Sequence, residues 1–160
     1  TSLAALVFFR SPRAHQSWVV AAGAVLDGAA LFLSAVKRPE NSPPAQALVI
    51  RAGNIALRHI AEMFQVAYNA DPHFPADPIS VTRTEFDEAY DRLARQGVPM
   101  QPDREAAWLH FAGWRVNYDS VLVALARLTM APETAWLSDY TFVPANTAAG
   151  QTSGRLEKVR

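Results

Sequence analysis

Residues 17–36 form a twenty-residue apolar segment in which Asp27, near the middle, is the one charged residue. The segment is long enough to cross a bilayer. Its strongly apolar side chains favour insertion by roughly 2.5 to 5 kcal/mol, whereas a carboxylate at the bilayer centre costs about 3 kcal/mol. Gly23 and Gly28 shift the balance further towards zero. A buried helix explains the same pattern without an intramembrane charge, so we expect the central helix of a soluble domain.

Asp27 needs a partner if that helix is buried, because desolvation penalises an unpaired carboxylate. The candidates are Arg51 and Arg58 in the second apolar segment and Arg115 in the last one. We expect Asp27 to be buried and bonded to at least one of these arginines. If the partner were left without its carboxylate, Asp27→Ala would cost about 3–5 kcal/mol.

Asp119 belongs to the same predicted polar cluster, because it lies one helical turn after Arg115 and can pair with it directly. Tyr118 and His59 are candidate neutral donors to Asp27. Two interpretations stay open for the cluster. It is either a structural ion pair at a helix interface or a polar pocket for a small ligand near Arg51, Arg58, Arg115 and Asp119.

Apolar residues at helical spacing predict an all-α domain of about four helices around one core, followed by an irregular tail. The first helix is apolar on both sides, so we expect neighbours all round it. The second carries a polar stripe, and its apolar residues are expected on the other side. The predicted bounds are about 15–37, Ser42-Pro43 to about Tyr68, Thr82 to Gly97, and Pro102-Asp103 to about Met130. The apolar set of the second helix is Leu48, Ala52, Ile55, Ala56, His59, Ile60 and Met63.

The third helix has explicit signals at both ends. Thr82 and Glu85 have the spacing of a capping box, in which each side chain binds the other residue's backbone N–H. Gly97 is a C-terminal stop, and Val98 can close back on Leu93 in a Schellman arrangement.

Composition excludes several classes of function. The formal net charge is zero and no basic patch is visible, which argues against nucleic-acid binding. The chain has no cysteine, so it has no disulfide and no thiolate site. Neither a nucleophile–base pair nor a Gly-rich phosphate loop is present, and we therefore expect no enzyme activity and no cofactor. His59 and Glu62 form one reversed copy of a di-iron motif, so we expect a core histidine and a solvated glutamate rather than a metal site.

Three regions are expected along the chain. Residues 1–12 are a linker or the end of a preceding segment, 13–143 the helical domain, and 144–160 a mobile tail. The surplus of apolar surface, including Leu3 to Phe9, predicts a homo-oligomer.

Several long strings resemble the region that follows the pore segments in a group of bacterial ion-channel-family membrane proteins. They lie between about residues 10 and 139: Arg10-Ser-Pro, Ser17-Trp-Val, 21–31 (AAGAVLDGAAL), 50–61 (IRAGNIALRHIA), 85–93 (EFDEAYDRL), 102–108 (PDREAAW), 111–119 (FAGWRVNYD) and 135–139 (AWLSD).

The resemblance implies a cytoplasmic domain joined to a two-transmembrane, potassium-channel-like pore module, on the cytoplasmic side of the bacterial inner membrane. Its implied roles are assembly and gating control. The 160 residues contain no pore helices and no filter motif such as Thr-Val-Gly-Tyr-Gly, so this chain alone cannot conduct ions. The alternative is a soluble helical module that binds a small ligand.

Overall fold

The computed structural model describes residues 17–39, 42–43 and 45–131, and this part of the chain is all-α. The bundle of four helices predicted from the apolar spacing is confirmed. The helices are α1 (Trp18–Ala35), α2 (Ala45–Met63), α3 (Arg83–Arg95) and α4 (Arg104–Leu128). Extended pairing among the described residues is limited to an isolated bridge between Val36 and Met100. The predictions for residues 1–12 and 144–160 lie outside the described residues.

Helices α1, α2 and α4 pack against one another and enclose the core. Helix α3 joins them through an aromatic cluster. Phe86 of α3 lies with its ring centroid 5.4 Å from Trp108 and 5.3 Å from Phe111, both on α4. The largest fully buried side chains are Tyr118, Phe86, Phe111, Ile50, Leu125, Val19 and Val121.

The loop between α3 and α4 is fastened to the end of α1. The N–H of Lys37 donates to the carbonyl of Pro99, and the N–H of Gln101 donates to the carbonyl of Ala35, both at 2.8 Å. The hydroxyl of Tyr90, on α3, donates to the carbonyl of Gln101. These bonds satisfy backbone groups at the end of α1 and fix where α4 begins.

Both predicted ends of α3 are confirmed. The hydroxyl of Thr82 accepts from the N–H of Glu85, whose carboxylate accepts from the N–H of Thr82 at 2.8 Å. Gly97 has φ +82°, a left-handed conformation that glycine adopts without a Cβ clash. The N–H of Val98 reaches back to the carbonyl of Leu93 at 3.1 Å, which is the Schellman bond.

Both predicted ends of α2 are wrong. The helix begins at Ala45, and the Ser42 hydroxyl donates to the carbonyl of Pro39 instead of capping it. It ends at Met63 rather than near Tyr68, because Gln65 takes a positive φ and the N–H of Val66 turns back to the carbonyl of Ala61.

The expectation that α1 has neighbours all round it is also wrong. Val25 is 60% exposed and Phe32 is 39% exposed, and they share one face with exposed Ala21 and Gly28. Helices α2 and α4 both pack on the opposite side of α1. One apolar face of α1 is therefore open among the described residues.

The predicted inner side of α2 is also mostly exposed: of its seven residues only Ile60 packs on the core, as a partly buried side chain. The buried residues of α2 are Ile50, Leu57 and Ala61. The exposed residues along the opposite side, which we call the α2 outer face, are Ala45, Leu48, Val49, Ala52, Ile55, Ala56, His59 and Met63. The expected core histidine, His59, is thus exposed.

Gly53 explains why α2 turns this way. A Cβ at position 53 would lie 2.4 Å from Cδ2 of Leu26, a distance that real Cβ contacts do not reach. The glycine therefore lets Leu26 of α1 sit directly against the α2 backbone. This close contact is available only on the side of α2 that carries Gly53, and it favours that side as the one that faces α1.

We predict that Gly53→Ala lowers the free energy of unfolding by about 1–3 kcal/mol relative to Gly113→Ala, because the new methyl group overpacks the α1–α2 contact. Gly113 is the matched control: it lies within α4, and a Cβ there meets nothing within 4 Å. Alanine at position 113 should be neutral or stabilise the helix by up to about 1 kcal/mol. Urea unfolding of both variants measures the difference, and equal stabilities would contradict this role of Gly53.

Candidate functional site

The buried polar cluster is organised around Arg115 in α4, which is 4% exposed. Its Nη1 donates to Oδ1 of Asp27 in the middle of α1. Its Nε donates to Oδ1 of Asp119 at 2.7 Å, and its Nη2 donates to the hydroxyl of Ser80 at 3.1 Å. One guanidinium therefore joins α1, α4 and the segment that leads into α3.

The cluster holds two carboxylates for one guanidinium, and neutral donors stabilise the remaining negative charge. The Tyr118 hydroxyl donates to Asp27 at 2.8 Å. The backbone N–H and the hydroxyl of Ser80 donate to Asp119 at 3.0 and 2.7 Å. These hydrogen bonds replace contacts with water that the two aspartates lose on burial.

Small residues and helical spacing bring these groups together. Arg115 and Asp119 are one turn apart on α4, so they point to the same side of that helix. Gly23 lies one turn before Asp27 on α1, and a Cβ there would lie 3.0 Å from Cδ2 of Leu122 in α4. The absence of that Cβ permits the close α1–α4 approach that places Asp27 beside Arg115.

The environment shifts the ionisation of two members of the cluster. Burial alone would lower the pKa of Arg115, but attraction to Asp27 and Asp119 raises it above its ordinary value. Burial raises the pKa of the Tyr118 hydroxyl, and the negative charge of Asp27 raises it further. The arginine therefore stays charged and the tyrosine stays a neutral donor throughout the physiological pH range.

The structure brings together Asp27, Arg115 and Asp119, and it leaves Arg51 and Arg58 apart from them. The expectation that Asp27 is buried and bonded to an arginine is confirmed, with Arg115 as the partner. Arg58 instead donates to the carbonyl of Ala70 at 2.9 Å and lies over the ring of Tyr68. Arg51 is exposed on α2.

Of the two candidate neutral donors, the structure selects Tyr118. Ser80 was not predicted at all. It lies in an irregular segment, thirty-nine positions from Asp119, so no helical spacing relates it to the other members. The sequence offers one hint about Ser80: it lies two residues before Thr82, whose capping box fixes where the irregular segment ends and α3 begins.

The geometry favours a structural role for the cluster. All three nitrogens of Arg115 donate within it, and the aspartates are 8% and 6% exposed, so the charges are not presented to solvent. Among the described residues, no group of three or more His, Cys, Asp or Glu side chains is placed to hold a metal ion. Glu62 accepts a hydrogen bond from the Tyr68 hydroxyl at 2.6 Å.

Within residues 17–39, 42–43 and 45–131, α1 is the one helix long and apolar enough to cross a membrane by length and composition. A core helix of a soluble protein and a signal sequence pass the same test. In this structure its single charged side chain points to Arg115 of α4, which supplies the partner that a buried carboxylate requires.

No family model, no curated protein and no solved structure matches the chain.

We predict that Arg115→Met lowers the free energy of unfolding by about 3–5 kcal/mol, because it leaves two buried carboxylates without their cation. Asp27→Asn should cost less, about 1–3 kcal/mol, because Arg115 keeps Asp119 as a partner. Because Arg115 serves both carboxylates, its loss should cost more than the loss of charge at Asp27 alone.

Arg127→Met is the control for the loss of a cation from α4, because Arg127 is exposed in the last turn of that helix. It should change stability by less than about 1 kcal/mol. Chemical unfolding followed by circular dichroism measures all three variants. A cost for Arg115→Met no greater than that for Arg127→Met would show that the cluster does not stabilise the fold.

Proposed function

We propose that this chain is a non-catalytic assembly domain, a rigid helical unit that associates with further copies of itself through its outer apolar faces. The observation that carries the proposal is the set of large apolar side chains on the outer sides of α1 and α2. Their exposed fractions are 60% for Val25, 39% for Phe32, 59% for Leu48, 55% for Ile55 and 55% for Met63.

These side chains are not scattered singly over the surface. Val25 and Phe32 share one face of α1, and Leu48, Ile55 and Met63 run along one face of α2. Covering a large apolar side chain on association gains about 1.5–3 kcal/mol at most. Contiguous exposed apolar surface of this kind usually marks an interaction site.

The buried cluster supports the proposal by making the domain rigid. Arg115 joins α1 to α4 and to the segment before α3. Helix α2 packs against both α1 and α4, so its outer face is carried on the same unit as that of α1. A rigid unit loses less conformational entropy on association than a flexible one.

The finer proposal is that the unit is the cytoplasmic accessory domain of an ion-channel-like membrane protein, on the cytoplasmic side of the bacterial inner membrane. Its support is the resemblance of strings such as 21–31, 50–61 and 111–119. In such a protein α1 would be the first helix of the domain after the pore module and its linker. A displacement of α1 would reach α4 through Asp27 and Arg115, which gives a physical route for gating control.

The alternative, a small-ligand module around Arg51, Arg58, Arg115 and Asp119, has less support. Arg115 and Asp119 bind each other below the surface, whereas Arg51 is exposed on another helix and Arg58 is engaged with Ala70 and Tyr68.

Sedimentation equilibrium over a range of concentrations up to tens of micromolar tests the assembly proposal. We expect a mass above that of the 17.5 kDa chain, increasing with concentration. A single monomeric species throughout would contradict it. The ion-channel proposal has its own test, since the reading frame upstream of Thr1 should encode two apolar spans of about 20 residues each. A frame without such spans would remove the pore module and leave the assembly proposal standing.

A further inference from the structure

We infer that the α2 outer face is the contact between two copies of this chain, and that the two α2 helices pair antiparallel about a two-fold axis near Ile55 and Ala56. The inference rests on the proposed assembly function and names the surface and its geometry. Four apolar side chains of this face are strongly exposed: Leu48, Val49, Ile55 and Met63. Helix α2 has 19 residues, so the face runs for about 28 Å.

The order of side chains along the face fits an antiparallel copy of itself. With the axis between Ile55 and Ala56, Leu48 lies opposite Met63 of the second copy, and Ala52 lies opposite its His59. At the axis, Ile55 lies opposite Ala56 of the second copy. Each larger side chain of Ile55 and His59 thus faces an alanine, and alternation of large and small residues is what allows facing helices to interdigitate.

Charge complementarity selects the second copy as the occupant. Arg51 and Glu62 are exposed and are eleven residues apart, close to three helical turns, so they lie on the same edge of the outer face. A two-fold axis perpendicular to both helices brings this edge against the same edge running in the opposite direction. Each Arg51 then lies within two positions of Glu62 of the other copy, and the pair forms twice. Arg58 of the other copy is as near to Arg51 in this register, but its guanidinium is turned to its own chain, where it donates to the carbonyl of Ala70 and lies over the ring of Tyr68.

A lipid surface fits this edge less well. Helices that bind membranes in the interfacial plane carry lysine and arginine along their polar face. Here the edge carries Arg51, Arg58 and Glu62 and no lysine, so one net positive charge replaces the basic stripe that attracts anionic lipid. A single helix-pair seam is small for a stable interface, so we expect a reversible dimer in the micromolar range.

The first experiment measures the dimer dissociation constant of the full chain by sedimentation. Ile55→Glu should raise that constant at least about tenfold, because it buries a charge at the centre of the seam. Leu109→Glu is the matched control, because Leu109 lies on α4 and is 51% exposed, close to the 55% of Ile55. This variant should change the dissociation constant by no more than about threefold. Circular dichroism checks that both variants keep the wild-type helix content.

A charge exchange then tests the antiparallel register. Arg51→Glu and Glu62→Arg should each weaken the dimer, because each places like charges side by side, and the double variant should recover most of the lost affinity. Since the chain has no cysteine, single cysteines can also be introduced cleanly. A cysteine at Ala56, near the axis, should cross-link two copies through a short bismaleimide, whereas one at Met63, near the helix end, should not.

The outcomes separate this inference from the proposed function. A chain that is monomeric at all concentrations overturns both. A wild-type oligomer that Ile55→Glu leaves intact overturns the α2 seam alone and leaves assembly through another surface. Cross-linking at Met63 as efficient as at Ala56 overturns the antiparallel pairing. A monomer that sediments with vesicles of anionic lipid overturns the inference in favour of a membrane occupant.

Discussion

The ion pairs of Arg115 with Asp27 and Asp119 determine how the rest of this structure is arranged. A guanidinium and two carboxylates are costly to remove from water, and they are tolerated only where partners satisfy them. Here the partners come from three separate parts of the chain. Asp27 lies on α1, Asp119 and Tyr118 lie on α4, and Ser80 lies in the segment before α3. Any rearrangement of α1 against α4 would therefore leave charges buried without partners, which restricts the domain to one packing.

That restriction explains why apolar side chains remain outside. Simple burial of the most apolar surface would turn Leu48, Ile55 and Met63 inward. The close contact of Leu26 with Gly53 instead faces the other side of α2 towards α1, and the contact of Asp27 with Arg115 commits the inner side of α1 to α4. Among the described residues these apolar faces are left outside, and on this basis the domain is proposed to assemble with copies of itself.

The sequence predicted the features that depend on neighbouring residues. The capping box at Thr82, the left-handed Gly97 and the four helices follow from local backbone chemistry, and the need of Asp27 for an arginine follows from desolvation. The sequence failed where the answer depends on how two helices approach each other. Hydrophobic periodicity placed the larger apolar side chains of α2 inside, whereas the buried side is the narrow strip of Ile50, Leu57 and Ala61. Periodicity counts apolar side chains and gives no weight to a glycine that permits a close contact. Ser80 was missed because its role depends on a tertiary contact, namely where the segment before α3 crosses α4.

A double-mutant cycle on Asp27 and Arg115 tests the central claim most directly. The free energy of unfolding is measured for the wild type, Asp27→Asn, Arg115→Met and the double variant. If the buried pair fixes α1 against α4, the double variant should lose less stability than the sum of the single losses, with a coupling of about 1–3 kcal/mol. Additive losses, within about 0.5 kcal/mol, would show that the two residues act independently and would contradict the account.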